Sequence, residues 1–391
     1  MNIKIRDIIE TRIDTVAFGG DGVGRVDNMV IFVPFTVDGD VVEVEITGVK
    51  KKYLRGKIKK IVVPSPQRAE PKCLHFSECG GCQYQHILYK YQLEMKRRQV
   101  VESFERIGRL GSPPVKEIIP SPEVFGYRGK AEYHIGFSEE KIPEIGFMDV
   151  EGGKLVDIER CEIVDETINR SFQDFRDDLI AGRTEIHDER KIIWSGLSGI
   201  EKTAGAPEYI TRMVKGKSLI VPCGGFFQAN IFLVDTLVDC VVEMSGLTGS
   251  EAVLDCYCGS GLFSLFLAGH ARQVFGMEIN GESAKCARMN HENFGISNAT
   301  VFMGDIKGIL GEKLSDIDLV ILDPPRIGCD RDVLSGIVEL KPERIIYISC
   351  NPATQARDIR YLIDEGFFLR TLQPMDMFPQ TKHIEVIALM V

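Results

Sequence analysis

"AVLDCYCGSGLFSLFLAGHARQVFGMEIN", residues 252–280, carries the reading of the fold. An apolar run ends at Asp255, a turn follows at Gly259 and Gly261, and an apolar helical stretch opens at once. "QVFGMEIN" then reads as a second strand that ends at Glu278. Strand, glycine turn, helix and strand make the first unit of a parallel sheet covered by helices. Glycines at that turn let a ligand approach the backbone closely. The third glycine of a dinucleotide G-x-G-x-x-G is missing, because Ser264 stands in its place. That weakens a dinucleotide reading, since the third glycine serves helix–strand packing.

The alternation continues to the end of the chain. "GESAKCARMNHENFG" reads as a helix and "ATVFMGD" as a strand, followed by "DLVILDPPR", "RIIYISCNP" and "HIEVIALMV". Residues 223–391 are therefore expected to form a Rossmann-like α/β domain. Asp255, Glu278, Asp305 and Asp323 each fall at the carboxyl end of a predicted strand, the edge where open α/β sheets bind ligands. One such acid is often only a helix cap. Four in register favour a site. Glu278 suits the two hydroxyls of a ribose, and Asp305 suits an adenine.

The rest of the chain differs in texture. Residues 1–63 alternate apolar and polar positions between Gly-Gly-Asp-Gly and Asp-Gly-Asp turns, which predicts a small β-barrel of the OB-like kind. Residues 64–90 hold a proline-rich linker and a cysteine-rich turn. Residues 91–222 read as a mixed α+β domain. The chain has 391 residues, enough for several domains, and lacks an apolar run long enough to span a bilayer. Its charged first residues do not read as a secretory signal, so a cytoplasmic protein with no membrane partner is expected.

Net charge is −10, yet "VKKKYLRGKIKK", residues 49–60, holds seven Lys and Arg and no acid. Such a stripe fits a nucleic acid and also fits a solvated strand face. Eleven cysteines are many for a reducing compartment, which directs clustered ones toward metal or catalysis. Cys240, Cys256 and Cys286 read as small buried hydrophobes. Cys73, Cys79 and Cys82, spaced C-x5-C-x2-C, read as metal ligands, with zinc and iron–sulfur both open. Cys350 sits at the exit of the run Ile345–Ile348, before Asn351-Pro352. It is either a packed strand-end thiol or a nucleophile held over a crevice. Phe226 and Phe227, beside Gln228, fit either stacking on an unstacked nucleic-acid base or core packing, and core is the favoured reading.

The glycine turn, Glu278, "DPPR" (323–326), "SCNP" (349–352) and "HIE" (383–385) together resemble the RNA uracil-5-methyltransferase family. The barrel resembles a TRAM domain, and the cysteine segment resembles that of the 23S rRNA branch. The resemblance implies S-adenosylmethionine as donor, contacted by Gln228, Tyr257, Glu278 and Asp323 beside Gly259 and Gly261. It implies Cys350 as nucleophile and Glu385 as base; the thiol must be partly ionised to react, and Arg326 or His383 is the candidate positive neighbour. It also implies a [4Fe–4S] cluster on Cys73, Cys79, Cys82 and Cys161. The expected partner is RNA, most directly 23S rRNA, bound by a monomer. The alternatives are a tRNA T-loop uridine, an amino-group methyltransferase and a non-catalytic RNA-binding assembly factor. The amino-group enzymes end their [DN]-P-P motif in an aromatic residue, where this chain has Arg326.

Overall fold

The computed structural model describes residues 3–184, 189–196, 208–310, 314 and 316–391, without the side chains of 309 and 310. Two compact units interleave along the chain. The first comprises residues 1–99, 124–199 and 378–383, and the second 100–123, 200–377 and 384–391.

The first unit opens with strands β1 (Ile8–Val16), β2 (Asp21–Val26), β3 (Met29–Pro34), β4 (Val41–Val49) and β5 (Tyr53–Val63). They close into a barrel in the order β1-β2-β3-β5-β4, which leaves no free edge. Period-two patterning explains the closure. Val42, Val44 and Ile46 of β4 are fully buried, while Glu43 and Glu45 between them point outward. The basic stripe lies largely on β5. Lys57 and Lys59 both reach Glu45, at 3.6 and 3.3 Å, and Lys50, Lys51 and Lys52 stand exposed in the preceding turn.

Helix α1 (Tyr89–Arg106) follows the linker. Strands β6 (Lys130–Phe137), β7 (Pro143–Met148) and β8 (Leu155–Asp157) precede helix α2 (Glu166–Ile180) and strand β9 (Arg190–Trp194). The strands form an antiparallel sheet in the order β8-β7-β6-β9. Asp165 caps α2 by accepting the Thr167 N–H at 2.9 Å, and Phe172 of that helix stacks on Tyr133 of β6.

The second unit begins with a hairpin, β10 (Tyr209–Val214) and β11 (Lys217–Pro222), and helix α3 (Val234–Ser245). The αβ alternation follows as β12 (Ala252–Cys256), α4 (Leu262–Leu267), β13 (Gln273–Glu278), α5 (Gly281–Asn293), β14 (Ala299–Met303) and α6 (Ile306–Leu310). It continues with β15 (Leu319–Leu322), α7 (Arg331–Leu340), β16 (Arg344–Ser349), α8 (Pro352–Asp364), β17 (Leu369–Met375) and β18 (Glu385–Met390). The sheet runs β14-β13-β12-β15-β16-β18-β17. Its first five strands are parallel, and β18 lies antiparallel between β16 and β17. Strand order reverses between β12 and β15, the place where such sheets open a ligand crevice. Leu319–Leu322 and Ile345–Ile348 are wholly buried, the continuous apolar runs of strands covered on both faces. Among the described residues, no helix is long and apolar enough to cross a membrane.

Candidate active site

The predicted nucleophile and base meet because the last strand is antiparallel. In the β16–β18 ladder Ser349 pairs with Val386, so the next position beyond the ladder sets Cys350 opposite Glu385. Gln355 of α8 ties the two strands together, its amide donating to the Tyr347 carbonyl at 2.8 Å and the Val386 carbonyl at 3.0 Å. Asn351 caps α8 by accepting the Ala353 N–H, and Pro352 fills the first helical turn, where its missing N–H is harmless. Cys350 therefore lies just before the N-terminus of a helix, a position that favours a thiolate.

The "DPPR" loop completes the group. Asn351 and Thr354 both donate to the Arg326 carbonyl, at 3.1 and 3.2 Å, which pins the loop against the start of α8. Gly328 makes this possible with a φ of +81°; a Cβ there would fall 2.4 Å from the buried Asp358 carboxylate. That carboxylate accepts from the Tyr347 hydroxyl at 2.7 Å and the Cys329 N–H at 2.9 Å. Asp323, at the end of β15, accepts from the Gln228 amide at 3.4 Å.

Charge in this group is finely opposed. Burial pushes the Cys350 thiol up to about 11, Glu385 and Asp323 push the same way, and the Arg326 guanidinium pulls it down while hydrogen-bonding it. Burial and the Asp323 charge hold Glu385, only 4% exposed, well above the ordinary carboxylate range, against the pull of Arg326. Burial raises Asp323 to about 7. A carboxyl so raised can take a proton near neutrality.

The glycine turn after β12 is built with equal care. Tyr257 holds a left-handed φ of +63°, an uncommon conformation for a residue with a Cβ and one that tends to accompany function. Glu278 accepts from the Gly259 N–H at 2.9 Å and from the Asn280 N–H at 2.7 Å, so its carboxylate is fixed at the strand end. Ser264 uses both its polar groups. Its N–H donates to Asp255 at 2.9 Å, and its hydroxyl pairs with His291 Nε2 at 3.1 Å.

Asp255 is fully buried, and one of its carboxyl oxygens has no hydrogen-bond partner. Burial lifts it from 3.8 to about 8, with Asp323 and Glu278 adding to the rise. The folded protein thus retains this proton across a range where the unfolded chain has lost it. The stability it contributes is complete below about pH 4 and is lost as pH rises through about 8. Asp255→Asn is expected to flatten that dependence. Urea midpoints at pH 6 and pH 9 should differ less in the variant than in the wild type, by on the order of 1–3 kcal/mol in unfolding free energy.

In the first unit, Cys73, Cys79, Cys82 and Cys161 line one cavity of about 140 Å³ together with Arg128 and Glu162. None of the four is in a disulfide. Burial raises every one of these thiols, and charge on the neighbouring sulfurs adds to the rise at Cys79, Cys82 and Cys161. Arg128 draws Cys161 back down. Among the described residues, no group of three or more His, Cys, Asp or Glu side chains converges as it would around a single metal ion.

Residues 208–391 match the family described as tRNA (Uracil-5-)-methyltransferase, and residues 4–59 match the TRAM domain. An RNA methyltransferase of Nostoc sp., itself uncharacterized, is 32% identical, with 98% of this chain and 96% of that protein covered. The chain belongs to the tRNA/RNA uracil-5-methyltransferase family. Another uncharacterized RNA methyltransferase, from Halalkalibacterium halodurans, is 31% identical over 99% of this chain and 98% of its own. The crystal structure of Pyrococcus abyssi tRNA (uracil-54, C5)-methyltransferase in complex with S-adenosyl-L-homocysteine is similar, with a TM-score of 0.72 and 25% identity. It covers 97% of this chain and 100% of that one.

Within this methyltransferase, Gln228, Asp323, Cys350 and Glu385 are brought together, and Tyr257, Gly259, Gly261 and Glu278 surround the glycine turn. Two expectations need correction. Asp305 does not end β14. That strand stops at Met303, Gly304 breaks it with a φ of +148°, and exposed Asp305 instead accepts the Lys307 N–H at the start of α6. Phe227 is buried as expected, but Phe226 is 73% exposed. Arg326 is the cation acting on Cys350, whereas His383 packs edge-on against Phe378 in the first unit. Sequence reading also missed the clamp that Asn351 and Thr354 place on the Arg326 carbonyl. An Asn-Pro pair at a strand exit is a helix-start signature that pointed to it.

Proposed function

We propose that this enzyme methylates carbon 5 of a uridine in 23S rRNA through a transient bond between Cys350 and carbon 6. The observation that carries the reading is Cys350 facing Glu385 across the end of the β16–β18 ladder, with Arg326 on the thiol. Carbon 5 of uracil is a weak nucleophile. Addition of the Cys350 sulfur to carbon 6 moves the 5,6 electron pair onto carbon 5 and its conjugated oxygen. S-adenosylmethionine would supply an electrophilic methyl group, which carbon 5 takes as the S–CH3 bond breaks and S-adenosylhomocysteine leaves. Glu385 in its ionised form then removes the carbon 5 proton, and the returning electron pair expels Cys350 as thiolate. Arg326 favours the thiolate at both the attack and the expulsion.

Gln228, Tyr257, Gly259, Gly261, Glu278 and Asp323 are assigned to the donor. Asp305, two residues past the end of β14, is assigned to its adenine because its charge acts on Tyr257 of the glycine turn. Strand-end Glu278, held by two backbone N–H groups, suits a ribose, and the left-handed Tyr257 suits close approach at the turn. The four cysteines fit a [4Fe–4S] cluster. They are soft donors around one cavity, with Arg128 to offset the charge of the sulfurs. The fourth cysteine lies far along the chain from the other three, which suits a cluster better than a zinc ribbon built from two close Cys-x2-Cys pairs. Such a cluster, held by these four residues, would cross-link Cys161 to the 73–82 loop. The chain is proposed to act as a monomer in the cytoplasm.

The deciding experiment uses transcripts containing 5-fluorouridine. Fluorine cannot leave as a proton, so the adduct with Cys350 should persist on a denaturing gel. Modification of such transcripts without any surviving adduct overturns the mechanism. Likeness to the Pyrococcus abyssi tRNA enzyme favours a second reading, a tRNA uridine. Mapping 5-methyluridine in rRNA and tRNA from cells lacking the protein decides between them.

Arg326→Ala should slow alkylation of Cys350 by iodoacetamide at pH 8. It should also displace the pH profile upward, because the charge that lowers the thiol is gone. Mass spectrometry of the Cys350 peptide follows this directly.

A further inference from the structure

Helix α8 holds the loop of residues 326–329 as well as the turn after Cys350. Arg357 and Asp358, at i+3 and i+4 from Thr354, share its helix face, one turn on from the capping Asn351. That face meets the backbone of Arg326, Ile327 and Cys329. Asn351 and Thr354 take the Arg326 carbonyl. Arg357, half exposed, donates to the Ile327 carbonyl at 3.0 Å and to the Cys329 carbonyl at 3.5 Å. Its Nε–H donates to Asp358 at 2.7 Å. The other Asp358 oxygen is spent on the Cys329 N–H and the Tyr347 hydroxyl. Upstream, Pro324 and Pro325 each fix φ at about −65°. The Gly328 N–H closes a turn on the Pro325 carbonyl at 2.8 Å. The backbone of Arg326 is held from both sides. Because Cys350 immediately precedes Asn351, one helix carries the thiol at its start and the loop with its cation on its face.

We propose that Arg357 and Asp358 are positioning residues for the reaction: together they template the 326–329 loop on α8 and so set the Arg326 guanidinium at the Cys350 sulfur. The proposal rests on the readings of Cys350 as nucleophile and Arg326 as its cation. Arg357 supplies the donors that the loop carbonyls need. Asp358, only 2% exposed, orients Arg357 and offsets its charge, so Arg357 acts on the thiol through the loop. Glu385 from β18, Asp323 from the end of β15 and Arg326 from the loop act on the thiol. Of these three, Arg326 is the one that favours the thiolate. Coulomb attraction falls with distance, so a loop that drifts from α8 leaves burial and two carboxyl groups to oppose ionisation.

The test is a double-mutant cycle on the full chain. Alkylation of Cys350 by iodoacetamide is followed across pH by mass spectrometry in wild type, Arg326→Ala, Arg357→Ala and the double variant. Thr354→Ala, which removes one donor to the Arg326 carbonyl, is the second loop variant should Arg357→Ala fold poorly. The loop variant should slow alkylation at pH 8 by about threefold to tenfold and move the pH profile upward, toward that of Arg326→Ala. In the Arg326→Ala background it should slow alkylation no further, because the group it positions is gone. Losses that multiply in the double variant overturn the proposal. So does a wild-type profile in the loop variant beside a displaced one in Arg326→Ala; both results leave the reading of Arg326 standing. An undisplaced profile in Arg326→Ala defeats the cation reading, and the proposal with it. A Cys350→Ala protein that still forms an adduct with 5-fluorouridine transcripts defeats the nucleophile reading, and with it the part of Arg357 and Asp358 in the reaction.

Discussion

Cys350→Ala is expected to lose uridine methylation by on the order of 10⁴-fold or more, while S-adenosylmethionine still binds. The size of the loss follows from the chemistry. Without sulfur at carbon 6, carbon 5 has no electron pair to offer, and neither base nor donor can substitute for it. The fold should survive, because Cys350 lies outside the β16 ladder and makes way for a smaller side chain at a half-buried position. Calorimetry with the donor and a gel assay with 5-fluorouridine transcripts check both halves. An enzyme that methylated an amino group would keep its activity in this variant. Retained methylation would therefore move the protein to that class.

Glu385→Gln gives the second large effect, with the opposite sign for the adduct. The amide preserves shape but cannot take the carbon 5 proton, so turnover should fall by about 10²- to 10⁴-fold. In the proposed mechanism attack and methyl transfer precede proton removal, so the covalent RNA–protein species should accumulate on unmodified transcripts. The variant should also be more stable than wild type at high pH. Burial and the neighbouring Asp323 raise Glu385 far above the ordinary range. Its folded form keeps a proton that the unfolded chain releases, and the associated stability is lost as pH rises through the folded value. Glutamine has no proton to lose. Equal urea midpoints for the two proteins at pH 9 would contradict this account of the burial.

Much of the site was legible because its residues stand at strand ends. An apolar run that stops at an acid or a cysteine before a turn marks the carboxyl edge of a parallel sheet. Asp255, Glu278, Asp323 and Cys350 were all reached this way. Asp305 was misplaced because a glycine ended its strand two residues early, a break that apolar patterning does not register. Ser264 read only as a missing glycine, whereas its N–H and hydroxyl engage Asp255 and His291. Phe226 read as core because an aromatic side chain beside Phe227 carries no local mark of exposure.

Local spacing determined the barrel strands, the alternation of strand and helix and the glycine turn, since periods of two and 3.6 residues and turn chemistry act over a few neighbours. Folding in three dimensions decided what those neighbours cannot specify. The insertion of β18 antiparallel beside β16 set Glu385 across from Cys350. The bonds between Gln92 and Gln380 join residues 288 positions apart. A single glutamine has no sequence signature for such a partner, because the hydrogen bond depends on a juxtaposition that only the completed chain provides.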